Sequence, residues 1–179
     1  MFGCVQLSLK DIADIKIGEF VHKNNQVADG EYPVYNGGTS NTGFYNKYNM
    51  DGNNVVISAR GASAGYVNYV KHKYWAGNSC YSVVLNTDIV SDRYLYHYLK
   101  NNEIHLLGSQ QKGGIPAVSK SQVENFNISI PSSEEQQRIV SILDKFDKLC
   151  NDLTSGIPSE IEAIQKAYEY HRNKMLTFA

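Results

Sequence analysis

The chain has 179 residues, 42% of them apolar and 20% charged, enough for one domain with its own core plus an appendage and ordinary for a globular protein. No run approaches the roughly 20 apolar residues of a membrane span, and Met1–Gln6 lacks the basic-then-apolar pattern of a secretory leader. The three cysteines, Cys4, Cys80 and Cys150, are too scattered for a disulfide framework or a zinc site and fit a reducing cytoplasm, and a net charge of −1 is by itself no mark of a nucleic-acid binder.

Charge distribution is more informative. Residues 1–32 carry three basic and five acidic groups, residues 33–120 eight against four, and residues 121–179 six against nine. Positive charge therefore gathers in the middle of the chain. Many domains show as much, so the excess needs a second signal before it means DNA.

In chain order, Leu7–Ile15 followed by Lys16-Ile17-Gly18 reads as a strand leading into a short helical turn, a lid on the core. Asn36-Gly37-Gly38 and Asp51-Gly52 mark turns. Val55–Ile57, Gly65–Val70 and Tyr81–Leu85 are short, β-branched or aromatic, and bounded by Gly or Asn, which predicts strands. Eleven of the thirteen tyrosines lie between 32 and 98 and are expected in the core or half-buried on the sheet. A helix is predicted after Ser91 with Tyr94, Leu95, Tyr98 and Leu99 on one face, then a short helix at Lys120–Glu124 and a strand at Phe126–Ile130.

At Pro131 the pattern changes. Ser132 with Glu135 and Ser133 with Gln136 form overlapping capping boxes. Ile139, Ile142, Phe146, Leu149 and Leu153 follow at alternating steps of three and four, widened by Val140, Leu143 and Cys150. Gly156 and Pro158 break this helix, since glycine supplies the left-handed exit and proline cannot continue the ladder. After a further box, Ser159 with Glu162, the stripe resumes at Ile157, Ile161, Ile164, Tyr168, His171, Met175 and Phe178. Such regularity predicts a coiled-coil seam against a partner helix; the alternative is a helical hairpin folded back on the domain.

Five segments carry candidate chemistry. Tyr32–Gly43 runs from a β-like segment into glycines and small polar side chains, where Asn36, Thr39, Ser40 and Asn41 could bond phosphate oxygens or base edges. Its alternative is a solvated hairpin turn. Ser58–Gly65 presents Arg60 and Ser63 on a loop of minimal bulk; a guanidinium there pairs with phosphate or reads guanine, unless a local carboxylate holds it. Lys71 and Lys73 sit beside Tyr74 and Trp75 in a cluster suited to the DNA backbone or to a charged hairpin end. Asn78 and Ser79 precede Cys80, which resembles a thiol nucleophile but opens an apolar strand, with no histidine placed by the sequence to activate it. Gln110–Val118 adds Lys112 on a Gly-rich loop without the spacing of a phosphate-binding P-loop. No dinucleotide fingerprint, zinc-protease motif or Asn-Pro-Pro-Tyr tetrad occurs, so no ATP or S-adenosylmethionine site, catalytic residue or metal site is expected.

Together these segments resemble the specificity subunits of type I restriction-modification systems. The resemblance runs through Leu9–Ala13, Tyr94–Leu99, Gly114–Val118, the Phe126–Pro131 junction into Glu135–Val140, and the closing Glu160–Phe178. The junction and closing helix are its most specific parts. The family usually carries two target-recognition domains separated and followed by helices; this chain has one of each and looks like a half-subunit, expected to pair as a homodimer on a bipartite target, with a truncated product as the alternative.

The resemblance implies an α/β (α+β) target-recognition domain with a mixed, twisted β-sheet and short helices over 1–131. Long C-terminal coiled-coil-forming helices follow over 132–179, with a helix over about 133–153, a break at 155–158 and a helix over about 159–177. It implies a non-catalytic cytoplasmic protein that binds double-stranded DNA, docks methyltransferase subunits, and reaches the restriction subunit through the complex. S-adenosylmethionine would belong to the partner methyltransferase. DNA contacts are expected from Asn36, Thr39, Ser40, Asn41, Arg60, Ser63, Lys71, Lys73, Asn78, Ser79 and Lys112. A dimer or partner interface is expected from Ile139, Ile142, Phe146, Leu149, Leu153, Ile157, Ile161, Ile164, Tyr168, His171 and Met175. The competing readings are a carbohydrate- or protein-binding module and a cysteine hydrolase using Cys80.

Overall fold

The structure is a computed structural model that describes residues 3–107, 115–152 and 158–176. Lys112, Leu153 and Ile157 lie outside the described residues. The chain opens with β1 (Val5–Ser8), the single turn α1 (Leu9–Ile12) and β2 (Ala13–Ile17). The Ser8 amide and hydroxyl both donate to the Asp11 carboxylate, closing a helical turn that the sequence leads one to expect in this segment without locating it at Leu9–Ile12. β3 (Tyr32–Tyr35), β4 (Gly43–Tyr45), β5 (Asn54–Ser58), β6 (Val67–Val70), β7 (Trp75–Ala76) and β8 (Cys80–Leu85) follow.

The strands form three sheets. β2, β8, β5 and β6 make a four-stranded antiparallel sheet; β4, β3 and β7 make a mixed one, with β3 and β7 parallel; β1 pairs with β9 (Asn127–Ile130) alone. β5 is buried along its whole length, which its uninterrupted apolar centre requires. Alternation sends Val55 and Ile57 into the main core and Val56 to the other face, where it meets Val70, Tyr74, Ala76 and Cys80 beneath the mixed sheet.

Helix α2 (Asp92–Asn101) starts where predicted, with the Ser91 hydroxyl accepting from the Tyr94 amide at 3.2 Å. It buries Tyr94, Leu95 and Leu99 against the sheet, and also His97, which the sequence reading passed over. After α3 (Glu103–Leu107), α4 (Lys120–Glu124) is held by a complete capping box between Ser119 and Gln122.

Helices α5 (Ser133–Asp152) and α6 (Pro158–Leu176) pack on each other and on α2. The Ser132 hydroxyl faces the Glu135 amide at 3.4 Å, one half of the first capping box, while the Glu135 carboxylate accepts from Arg138 in place of the Ser132 amide. The second box does not form. Gln136 turns inward instead, 3% exposed, donating to the carbonyls of Ile89 (2.8 Å) and Pro131 (3.1 Å) and accepting from the Ser91 amide (2.9 Å). One side chain thus ties the start of α5 to the cap of α2.

The stripe of apolar residues is used partly within the chain. Ile139, expected at an interface with a partner, is fully buried in the domain core beside Leu143, because this face of α5 covers α2. Phe146 stacks on His171 with ring centres 5.9 Å apart and meets Tyr168 at 6.0 Å, the contact of a helical hairpin. Leu149 remains half exposed, and Ile142, Phe146, His171 and Met175 line an open groove between the helices, edged by Glu135, Arg138 and Lys174. Ile161 and Ile164 fall on α6. Among the described residues no helix is long and apolar enough to cross a membrane.

Candidate nucleic-acid interface

Parallel pairing of β3 with β7 (Val34 opposite Trp75, Tyr35 opposite Ala76) sends both strands out at one end, and β5 arrives there too. Three loops therefore meet. The Gly77 amide donates to the Tyr35 carbonyl at 2.7 Å, the Ala59 amide to Ser79 at 2.9 Å, and the Ser58 hydroxyl to the Gly38 carbonyl at 2.7 Å. A fourth segment joins them: the Gly61 amide donates to Pro116, the Val118 amide to Ala59, and Arg60 bridges Ala117.

Glycine is required twice. Gly37 has φ of +85°, and a Cβ there would also lie 3.3 Å from the Ser79 carbonyl oxygen. A Cβ on Gly77 would fall 2.2 Å from the Asn36 side-chain oxygen. That oxygen accepts from the Ser79 amide at 3.2 Å, so Asn36 braces one loop against another.

Arg60 stands at the centre of this cluster. Its peptide is pinned on both sides while its side chain is exposed and makes no hydrogen bond or ion pair with other described residues. No described carboxylate therefore holds it. Thr39, Ser40 and Asn78 are exposed in the adjoining loops, and Ser63 lies half-buried in the turn after Arg60. Asn41 is committed locally, donating to the Gly43 carbonyl at 3.3 Å.

Lys71 and Lys73 are not part of this cluster. They follow β6, whose Val70 pairs with Asn54 at the start of β5, so the length of β5, about 13 Å, separates them from the glycine loops. Lys73 donates to the Tyr48 hydroxyl at 2.9 Å and lies 4.1 Å above that ring's centre. The sequence places the candidate segments on loops, but their distribution between two ends depends on strand register.

One neighbouring surface was missed. Phe20, His22, Lys23 and Gln26 line a shallow cavity with Asn36 and Thr42, placing a further cation beside the glycine loops. The polar run His22–Asn25 was the available signal, masked by the net acidic charge of residues 1–32.

Cys80 is a buried packing residue. Its thiol donates to the carbonyls of Tyr35 (3.1 Å) and Gly77 (3.2 Å), and burial pushes its pKa up to about 11, the opposite of an activated nucleophile. His97 is engaged by Asp144 on α5, and His72 is exposed beyond the other end of β5. The cysteine-hydrolase reading is therefore overturned.

Comparison with known proteins gives one family. The specificity subunit of the type I restriction enzyme MpnII from Mycoplasma pneumoniae is 33% identical over 92% of this chain and 50% of its own length. The EcoR124I/EcoR124II specificity subunit from Escherichia coli is 41% identical over 48% of this chain and 22% of that protein. Among solved structures, the S subunit of a type I restriction-modification system from M. genitalium superposes with a TM-score of 0.77 at 24% identity, over 86% of this chain and 41% of that one. The HsdS subunit from Thermoanaerobacter tengcongensis does so at 0.66 and 20% identity, over 97% and 45%. The chain thus spans half the length of the MpnII subunit and less of the solved chains. The family described as type I restriction modification DNA specificity domain matches residues 3–163. With that match covering most of its length, the chain belongs to the type I restriction-modification specificity family.

Proposed function

We propose that this chain reads DNA sequence for a type I restriction-modification complex. The observation that carries the reading is the convergence of the glycine loops at the ends of β3, β5 and β7 around the exposed Arg60. Pinned peptides hold the guanidinium ready without local neutralisation, and small neighbours let a duplex approach closely. Arg60 reads guanine or a phosphate there, with Thr39, Ser40, Asn78 and Lys23 beside it. Lys71 and Lys73, a strand length away, suit phosphates alone.

Helices α5 and α6 form the spacer. Two recognition domains are needed for a bipartite target, and a second copy supplies the other one, its helices entering the groove lined by Ile142, Phe146, His171 and Met175 in a coiled-coil arrangement. Two-fold symmetry then gives a palindromic target with half-sites about one helical turn, roughly 10 bp, apart. Methyltransferase subunits dock on the spacer and hold the S-adenosylmethionine, the restriction subunit joins through them, and the complex works in the cytoplasm. Methylation takes place in the partner on a base turned out of the stack; this chain contributes position, not chemistry.

Selection from a random duplex pool by the full chain, alone and with its methyltransferase, tests the reading. Enrichment of one two-part sequence is expected, and no preference over random competitor overturns it. Ile142→Asp tests the second copy, with an unchanged mass by light scattering counting against it.

A further inference from the structure

Where α5 and α6 cover the recognition domain, a charged cluster joins the buried Gln136 and the hydrogen bond from Arg172 to Asn101 among the polar contacts of an otherwise apolar surface. Arg93 on α2 binds Asp144 on α5 through Nε, at 3.2 and 3.4 Å to the two carboxylate oxygens, and through a terminal nitrogen. It reaches Asp147, almost one turn further along α5, at 3.6 Å. Asp144 also accepts from His97 Nε2 at 2.7 Å. His97 lies one turn after Arg93, is wholly buried, and leaves Nδ1 without a partner among the described residues.

Two rings enclose the guanidinium, Tyr69 of β6 at 4.7 Å and Tyr96 of α2 at 4.9 Å. Tyr69 donates in turn to Asp92, and Tyr168 of α6 lies beside Asp147. Four elements, β6, α2, α5 and α6, therefore meet around one guanidinium.

Stability does not explain such a cluster. Arg93 and Asp144 keep 27% and 40% of their side-chain surface exposed, so the ion pair itself adds little, and the best-attested use of charge set into a packed face is to select one register. An apolar helix face can slide or rotate by small steps, whereas a guanidinium fork on a carboxylate accepts one orientation. The ligand atoms of His97, Asp144 and Asp147 lie within 4.8 Å of one another, the spacing of a cation site, but Arg93 already supplies the positive charge there.

We propose that the Arg93–Asp144–His97 cluster is a specificity-determining lock, which holds the recognition domain at one angle to α5 and α6 and so sets the separation of half-sites that the assembled protein accepts. The proposal rests on the two-half-site reading above. One added base pair moves a half-site by about 3.4 Å and turns it by about 35°, so a rigid joint discriminates spacer length where a loose one would not.

The test uses the full chain and the double variant Arg93→Met/Asp144→Leu. Spin labels at Asp29→Cys and Glu169→Cys, with Cys4→Ser and Cys150→Ser, report the angle without DNA; buried Cys80 is left in place. The parent is expected to give one narrow distance distribution and the variant one about twice as broad. On the duplex selected by the parent, lengthening the spacer is expected to weaken the parent on the order of tenfold per base pair and the variant less than about threefold, with half-site preference kept. Equal widths, or a spacer preference as sharp in the variant as in the parent, overturn the lock. If the parent selects no duplex, the two-half-site reading fails and the lock's role in spacing falls with it, while the distance widths still decide whether the joint is rigid. Should the double variant not fold, Arg93→Lys, which keeps the charge but loses the fork, takes its place in both measurements.

Discussion

Gln136 offers a direct measure of how firmly the spacer is attached to the recognition domain. Replacing it by leucine keeps nearly the same volume and removes three hydrogen bonds, to the carbonyls of Ile89 and Pro131 and from the amide of Ser91. The Pro131 carbonyl is buried and loses this partner outright, at about 1–3 kcal/mol. Ile89 and Ser91 lie at the surface, where water partly replaces the lost partner, so each adds roughly 0.5 kcal/mol. The expected total is about 2–4 kcal/mol, or some 5–15 °C in Tm for a chain of this size. Urea unfolding is the assay, the midpoint falling at unchanged slope. A midpoint equal to the parent's would refute the reasoning, since it would mean that α5 is held by its apolar stripe alone.

Three further outcomes are expected. Arg60→Ala weakens binding to the selected duplex by about 1–3 kcal/mol if the guanidinium reads a base, and binding unchanged across a salt titration removes Arg60 from the interface. Cys80 stays unlabelled by iodoacetamide near neutral pH in the folded chain and labels in urea; prompt labelling of the folded chain would contradict its burial. Burial holds the His97 imidazole below its ordinary value of 6.5, so the unfolded chain takes up a proton that the folded chain refuses. The stability at stake is present above 6.5 and is lost as pH falls from there through the lower folded value. His97→Gln should therefore flatten the drop in urea midpoint between about pH 7.5 and about pH 5.5, and equal drops in parent and variant would place the proton uptake elsewhere.

Local chemistry was readable from the sequence where local rules decide it. The start of α2 after Ser91, the short helix at Lys120–Glu124 and the strands around Val56, Tyr69 and Val83 stand where composition and spacing place them. What the sequence left open depends on which segments become neighbours. The parallel pairing of β3 with β7 has no signature in either strand, yet it brings Asn36, Arg60 and Ser79 together and leaves Lys71 and Lys73 at the other end. Gln136 has the spacing of a capping residue, but the Ser91 amide and the Ile89 carbonyl, both from a distant segment, and the nearby Pro131 carbonyl take its side chain away from the local cap. His97 could not be told from a solvated residue on α2, since its burial comes from Asp144, 47 residues on. For the same reason the periodic stripe from Ile139 to Met175 foretold apolar contact without saying whether the neighbour was its own chain.

The β1–β9 ribbon has a consequence for exchange. Val5 sits opposite Ile130 and Ser8 opposite Asn127, so the chain enters and leaves the globular part on adjacent strands, with α5 beginning three residues after Ile130. A unit whose two ends lie side by side can be lifted out and replaced with little disturbance to the scaffold that carries it. Residues 5–130 are therefore expected to exchange as a cassette wherever the incoming unit offers α5 and α6 a matching apolar face, an equivalent of Arg93 and a loop for Gln136 to grip.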